Sequence, residues 1–122
     1  MNAGDTDDSI YTIAFDGDRF LMIWNPKRNG WEMPGGHIKK GETRIDGAIR
    51  EFREESGYSV EIVAVRDLGH CRVCAARLGK DLEIEHEMEV RLFDRLPDRL
   101  AFDRAEYEDT VPWAAKLLSE KD

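Results

Sequence analysis

The 122-residue sequence contains two cysteines, four prolines and no apolar run approaching the ~20 residues that a membrane-spanning helix needs. Two cysteines cannot staple a disulfide scaffold, so stability has to come from a buried core. At this length roughly two-thirds of the unfolded chain's surface can be buried, which suits one domain and not two. Positive charge is also scarce: 18 Lys+Arg stand against 26 Asp+Glu, for a formal net charge of −8. A surface of that sign disfavours long nucleic acids and anionic membranes. It leaves room for small phosphorylated ligands whose charge a cation carries. The N-terminal MNAGDTDDSI has neither the basic start nor the apolar run of a secretory leader. These absences lead us to expect a reduced, cytoplasmic, globular protein that binds neither polymeric nucleic acid nor membrane.

Residues 1–9, with Asp5, Asp7 and Asp8 and little to bury, read as a mobile N-terminal arm, and residues 10–122 as a single domain. Two β-prone runs, 10–15 (IYTIAF) and 20–24 (FLMIW), flank an Asp-Gly pair, the strongest short hairpin signal. Residues 25–30 form a turn cluster, and Pro34-Gly35-Gly36 excludes helix and leaves an open loop. The clearest helix covers 43–56, with Thr43 as N-cap, Asp46 to reciprocate and Gly57 as the left-handed stop. Ile45, Ala48, Ile49 and Phe52 supply its buried stripe. Gly47 costs about 1 kcal/mol against alanine inside a helix, which implies close packing against a neighbouring backbone.

Residues 60–65 and 70–75 read as short strands, 78–81 as a turn and 82–93 as a strand. In that strand Leu82, Ile84, His86, Met88 and Val90 face one way and Glu83, Glu85, Glu87 and Glu89 the other. Residues 98–110 read as a loop before a final helix from Pro112 to about Ser119. One strong helix among strands and a second at the end give an α/β or α+β fold class.

The chemistry gathers on the strong helix. Glu51, Glu54 and Glu55 sit at i, i+3 and i+4, so three like charges share one face and repel. A divalent cation relieves that repulsion, and all-oxygen donors suit Mg²⁺ or Mn²⁺ better than Zn²⁺. Arg50 is placed to pair with one of the carboxylates and keep it ionised. The competing explanation is a solvated acidic helix face, the usual fate of charge runs.

The residues around the helix bear on that choice. From Gly36 the chain runs five residues to Glu42, seven more, and then Arg50-Glu51-Phe52-Arg53-Glu54-Glu55-Ser56-Gly57-Tyr58. This resembles the signature of the Nudix hydrolases at every defined position, with Phe52 and Tyr58 at its two bulky apolar places. The lead-in Trp31-Glu32-Met33-Pro34-Gly35-Gly36 is also similar to the family's. The resemblance implies a Nudix-type α/β/α sandwich with a mixed β-sheet. It further implies a Mg²⁺-dependent hydrolase, with Mn²⁺ as the alternative ion, that cleaves a phosphoanhydride in a small nucleoside diphosphate-linked substrate. In this resemblance the Gly36 carbonyl, Glu51, Glu54 and Glu55 match positions that hold metal or handle the attacking water. Glu54 and Glu55 match the leading ligands, Glu51 a base or water-orienting group, Arg50 the brace of a catalytic carboxylate and Glu42 an outer position. Dimers are frequent in the family, so a homodimer is compatible with it.

Substrate markers are thin. Subfamilies acting on ADP-ribose or dinucleoside polyphosphates carry a proline or tyrosine some sixteen residues past the motif, where this chain has Arg72-Val-Cys-Ala-Ala76. The compact chain is most similar to the MutT-type branch, which acts on nucleoside triphosphates, including oxidised ones such as 8-oxo-dGTP. Nucleotide sugars, ADP-ribose, dinucleoside polyphosphates and capped RNA are the alternatives, as is a non-catalytic nucleotide-binding module. Such modules usually lose motif carboxylates, and this chain keeps them.

Outside the motif, Glu106, Glu108 and the Glu83/Glu85/Glu87/Glu89 face are either an additional metal carboxylate or surface charges. Cys71 and Cys74, with His70 adjacent, suggest zinc, but a single pair is too few ligands and strand residues three apart face opposite sides. Buried structural thiols are the expectation there. His86 reads as a core histidine and His37 as an exposed neighbour of the metal loop. Trp24, Trp31 and Tyr11 read as packing groups before base-stacking ones. Between Gly36 and Tyr58 five acids balance five bases, whereas residues 81–122 hold 13 acids against 6 bases. The surplus charge therefore lies outside the motif.

Overall fold

The structure is a computed structural model that describes residues 5–121, Asp5 by its backbone alone. Its elements are β1 (Asp5–Asp16), β2 (Arg19–Asn25), β3 (Gly30–Glu32), β4 (Gly35–Lys39), α1 (Arg44–Ser56), β5 (Tyr58–Asp67), β6 (Arg72–Asp81), β7 (Glu89–Phe93) and α2 (Arg104–Glu120). The main sheet runs β3-β2-β1-β6-β5, with β4 added to β1 and β7 to β2. Among the described strands only β1 and β6 pair in parallel, Ile13 opposite Ala75, so the sheet is mixed. β1 and β2 form the expected hairpin, closed at Asp16↔Arg19 over Gly17, whose φ of +63° needs no Cβ.

Alternation along β1, β2 and β6 sends side chains to both faces. Ile13, Phe20, Met22, Val73 and Ala75 pack against Tyr107 and Ala114 of α2. Ala14, Leu21, Ile23 and Ala76 pack against Phe52 of α1, and Ile10, Ile38 and Cys74 against Ala48. The result is the α/β/α sandwich.

α1 is capped as expected: Thr43 Oγ1 accepts from the Asp46 N–H at 3.1 Å, and Gly57, at φ +77°, donates its N–H to the Arg53 carbonyl. Its buried stripe is Ala48 and Phe52, while Ile45 is exposed. Gly47 is constrained by side chains and not by backbone. A Cβ there would meet Ile38 Cδ1 at 2.6 Å and Glu42 Oε1 at 2.9 Å.

Several expectations are corrected. Residues 5–9 are not a mobile arm but the first half of β1, pairing with β4 from Asp5↔Lys39 to Tyr11↔Gly35. Asp8 finds its cation across space, 2.9 Å from Arg44, and Thr6 donates to the Ile38 carbonyl. Residues 1–4 lie outside the described residues. Residues 78–81 extend β6 instead of turning. Residues 82–88 are not a strand despite their alternation. Glu83 takes φ +55°, and Leu82, Glu87 and Met88 donate their N–H groups to the carbonyls of Gly57, Glu54 and Glu55. The free carbonyls ending α1 thus take donors that a sheet neighbour would have received. His86 is accordingly exposed, its Nδ1 2.8 Å from the Met88 carbonyl. Finally, α2 begins at Arg104 and carries Pro112 in its interior, because Asp103 caps it by accepting from the Ala105 N–H.

Candidate active site

β4 and α1 bring the predicted residues together. The strand edge at Gly35 and Gly36 lies against the second half of the helix, where Glu55 Oε1 accepts the Gly35 N–H at 2.8 Å. A Cβ on Gly36 would lie 2.6–2.8 Å from the Glu51 carboxylate atoms, so only glycine admits that approach. Gly35 is tighter still: a Cβ would meet the Ile10 carbonyl at 2.3 Å. Pro34-Gly35-Gly36 is thus partly strand, not the open loop expected of its composition.

Arg50 is the hub of the cluster. Its Nε and Nη2 grip the two oxygens of Glu42 at 2.7 and 3.0 Å, and Nη2 also donates to the His37 carbonyl at 3.2 Å. Its Nη1 bridges Glu51 at 2.8 Å and Glu54 at 3.3 Å. A planar fork of donors suits this pattern as a lysine would not. Glu42 takes a further N–H from Lys39 and, beside Arg50, its carboxyl is held down at about 2.

The helix carboxylates differ in setting. Glu54 is exposed at the rim, whereas Glu55 is buried and Glu51 partly buried. Burial pushes the Glu51 carboxyl up even though Arg50 opposes the shift. Burial pushes Glu55 further, to about 8, against the stabilising Gly35 N–H, with Glu51, Glu32 and Glu87 adding like charge. One buried carboxylate, one partly buried, one exposed and a neighbouring backbone carbonyl form an all-oxygen set with too little positive charge to balance it. That donor chemistry fits a hard divalent cation.

Glu51 and Glu55 open onto a cavity of about 830 Å³. His37, exposed as expected, is on its wall, as are Tyr11 and Glu106, but Glu108 is not among the lining residues. Trp24 and Trp31 pack edge-to-face at 5.4 Å, and Trp31 is buried in the core. Cys74 is buried on the α1 side while Cys71 faces Glu106 on the α2 side, so the two thiols part as the strand geometry requires.

Sequence reasoning missed Glu32. It is buried on the cavity wall, where Oε1 accepts from Asn25 Nδ2 at 3.0 Å and Arg28 Nη1 at 3.2 Å. Tyr107, which accepts the Met33 N–H at 3.1 Å, was missed with it. The only signal for Glu32 was its place in the lead-in to Gly36.

Fold and site together define a sandwich domain that presents clustered carboxylates to a ligand-sized cavity. Residues 6–117 match the model of the NUDIX domain, and the chain belongs to that family. Among curated relatives it is 45% identical over 40 residues to the uncharacterized Nudix hydrolase YvcI of Bacillus subtilis, a match covering 33% of this chain and 25% of that protein. It is 27% identical over 59 residues to a putative 8-oxo-dGTP diphosphatase of the same organism, covering 48% of this chain and 40% of the relative. The matches span only 15–40% of the length of the curated relatives. Among solved structures, a NUDIX hydrolase from Nitrosomonas europaea superposes with a TM-score of 0.71 at 26% identity, over 94% of this chain and 73% of that one. No described helix is long and apolar enough to cross a membrane.

Proposed function

We propose that the protein is a Mg²⁺-dependent hydrolase that cleaves a phosphoanhydride in a small nucleoside diphosphate-linked substrate, with a nucleoside triphosphate or an oxidised nucleotide such as 8-oxo-dGTP as the leading class. The observation that carries this reading is the wiring of Glu51 and Glu54 through Arg50 beside the Gly36 edge, with Glu55 buried next to them. The name of the 8-oxo-dGTP relative agrees with the substrate class.

In this reading Glu54, Glu55, Glu51 and the Gly36 carbonyl hold the cation. A Mg²⁺ ion held there would neutralise phosphate charge and lower the pKa of the attacking water so that it can lose a proton near neutral pH. Arg50 fixes one oxygen of Glu51, leaving the other to accept the proton of the attacking water. The water oxygen forms the new bond to phosphorus, and the bridging oxygen leaves with the electrons of the broken anhydride bond. Glu42 acts at a distance by anchoring Arg50 through two hydrogen bonds.

The test is release of phosphate or pyrophosphate with and without Mg²⁺ across dNTPs, 8-oxo-dGTP, ADP-ribose, dinucleoside polyphosphates, nucleotide sugars and capped RNA. Turnover should depend on Mg²⁺ and fall by at least about 10²-fold in Glu55→Gln or Glu54→Gln with the fold verified. Unchanged turnover in both variants would refute the catalytic reading. A best substrate elsewhere in the panel would refute only the substrate assignment.

A further inference from the structure

The cavity has a second cluster of chemically active groups that the carboxylate helix does not use. His70 and Cys71, at the turn between β5 and β6, meet Glu106 from the first turn of α2. His70 Nε2 lies 2.6 Å from Glu106 Oε1, and Cys71 Sγ lies 4.0 Å from Oε2 of the same carboxylate. One ligand atom from each residue falls within 4.8 Å of the others, and all three residues line the cavity.

We propose that His70, Cys71 and Glu106 form a binding site for a borderline-soft divalent cation of the Zn²⁺ class, on the cavity wall and separate from the glutamates of α1. The donor types support this. A nitrogen, a sulfur and a carboxylate oxygen are the ligands zinc takes, whereas Mg²⁺ disfavours thiolate and imidazole. Distances support it too. Zinc bond lengths place tetrahedral ligand atoms about 3.3–3.8 Å apart. The two close approaches run to different oxygens of Glu106, and with one ligand atom from each residue no pair is more than 4.8 Å apart, so a shift of roughly 1.3 Å or less brings them to that spacing. Two-thirds of the His70 side chain is exposed, so its ring is free to make the adjustment.

The backbone is arranged to bring neighbouring residues onto one carboxylate. The Leu68 N–H donates to the Cys71 carbonyl at 2.9 Å, Gly69 takes φ +92°, and its N–H is held by Asp67 Oδ1 at 2.7 Å. This tight turn ends at Cys71, one residue before β6 begins. A hydrogen bond between His70 and Glu106 accounts for two of the three groups. The Cys71 thiol donates to the other oxygen across 4.0 Å, so Glu106 already gathers both groups and a cation would replace the protons between them. The pairing Cys71–Cys74 that the sequence brings to mind is not the site; the third ligand comes from a helix 35 residues further on. Three protein ligands leave a fourth position for water or for an atom of whatever occupies the cavity.

The experiment uses the full chain with Mg²⁺ in excess, to occupy hard-cation sites, and Co²⁺ and Zn²⁺ as probes. One equivalent of Co²⁺ should produce a thiolate-to-metal charge-transfer band, and Zn²⁺ should displace it. Cys71→Ser should abolish the band, while Cys74→Ala should retain it. His70→Ala, at an exposed position that the fold tolerates, and Glu106→Gln should each weaken Zn²⁺ at least about tenfold by calorimetry, since losing even an outer-shell partner of a metal ligand costs that much. The proposal is overturned if no thiolate band forms, if the band survives Cys71→Ser, or if His70→Ala and Glu106→Gln leave Zn²⁺ affinity unchanged. None of these readouts involves turnover, so they stand or fall independently of the hydrolase reading.

Discussion

Arg50 and the two glycines opposite it set the geometry of the carboxylates, Arg50 by its hydrogen bonds and the glycines by leaving out a Cβ that would lie within 3 Å of its neighbours. Gly35 and Gly36 are adjacent, yet a methyl group would have different consequences at each. At Gly35 it would strike the backbone of β1, where neither Ile10 nor Tyr11 has room to move. At Gly36 its nearest neighbours would be the carboxylate atoms of Glu51, the far end of a flexible side chain. Gly35→Ala should therefore lower the melting temperature sharply. Gly36→Ala should melt within a few degrees of the parent while losing most Mg²⁺-dependent turnover. Paired melting curves and activity assays check this, and equal destabilisation of the two variants would contradict it. Glu42 offers a test of a different kind. Arg50 holds its carboxyl at about 2, below the ordinary 4.5, so the pair adds stability that is present above pH 4.5 and lost as pH falls through 2. Glu42→Gln should flatten the acid limb of a stability–pH profile across that window, as urea midpoints measured at several pH values would show.

At the scale of elements, the signals that held were those with a local physical cause. Thr43 and Gly57 bound α1 through their own backbone angles and hydrogen bonds, and Asp16-Gly17 turns the first hairpin by itself. The carboxylate face was legible for the same reason: Glu51, Glu54 and Glu55 share one helix. Glu32, Tyr107 and the His70–Cys71–Glu106 cluster were not, because their meaning depends on which distant elements meet. The segment 82–88 misled for a related reason. Its alternation of apolar and glutamate residues is strand-like, but the carbonyls at the end of α1 compete for its N–H groups and win. Pro112 misled by suggesting a helix start, whereas it sits mid-helix on an exposed position of α2. There it removes the N–H that would bond to the Glu108 carbonyl. A proline inside a helix costs about 3 kcal/mol against alanine, and alanine gives back up to about 1 kcal/mol by loosening the unfolded chain. Pro112→Ala should therefore raise stability by about 2 kcal/mol in urea denaturation. A neutral or negative change would mean that the ring packs in a way the helix needs.

The whole molecule carries a charge of −8, yet that surplus is not what would draw a cation to the proposed site. The segment from Gly36 to Tyr58 is balanced, and the excess acid lies mainly in residues 81–122. A diffuse surplus of this kind attracts any cation weakly and is screened by salt. Buried carboxylates bind selectively, and protonation competes with the cation. Burial holds the Glu55 carboxyl at about 8, above its ordinary 4.5. The protonated form therefore suits the folded state. The stability it contributes is complete below pH 4.5 and is lost as pH rises through about 8. Mg²⁺ takes only the carboxylate, so it should compensate where that loss occurs. The rise in melting temperature on adding Mg²⁺ should be small near pH 5 and grow towards pH 8. At a hundredfold excess over the dissociation constant the stabilisation reaches about 2.7 kcal/mol, roughly 10 °C for a domain of this size. Potassium at matched ionic strength should not reproduce it, and Glu55→Gln should remove its dependence on pH. If Mg²⁺ raised the melting temperature equally at pH 5 and pH 8, or potassium did as well, the cation would be answering the acidic surface and not the carboxylates beside Gly35 and Gly36.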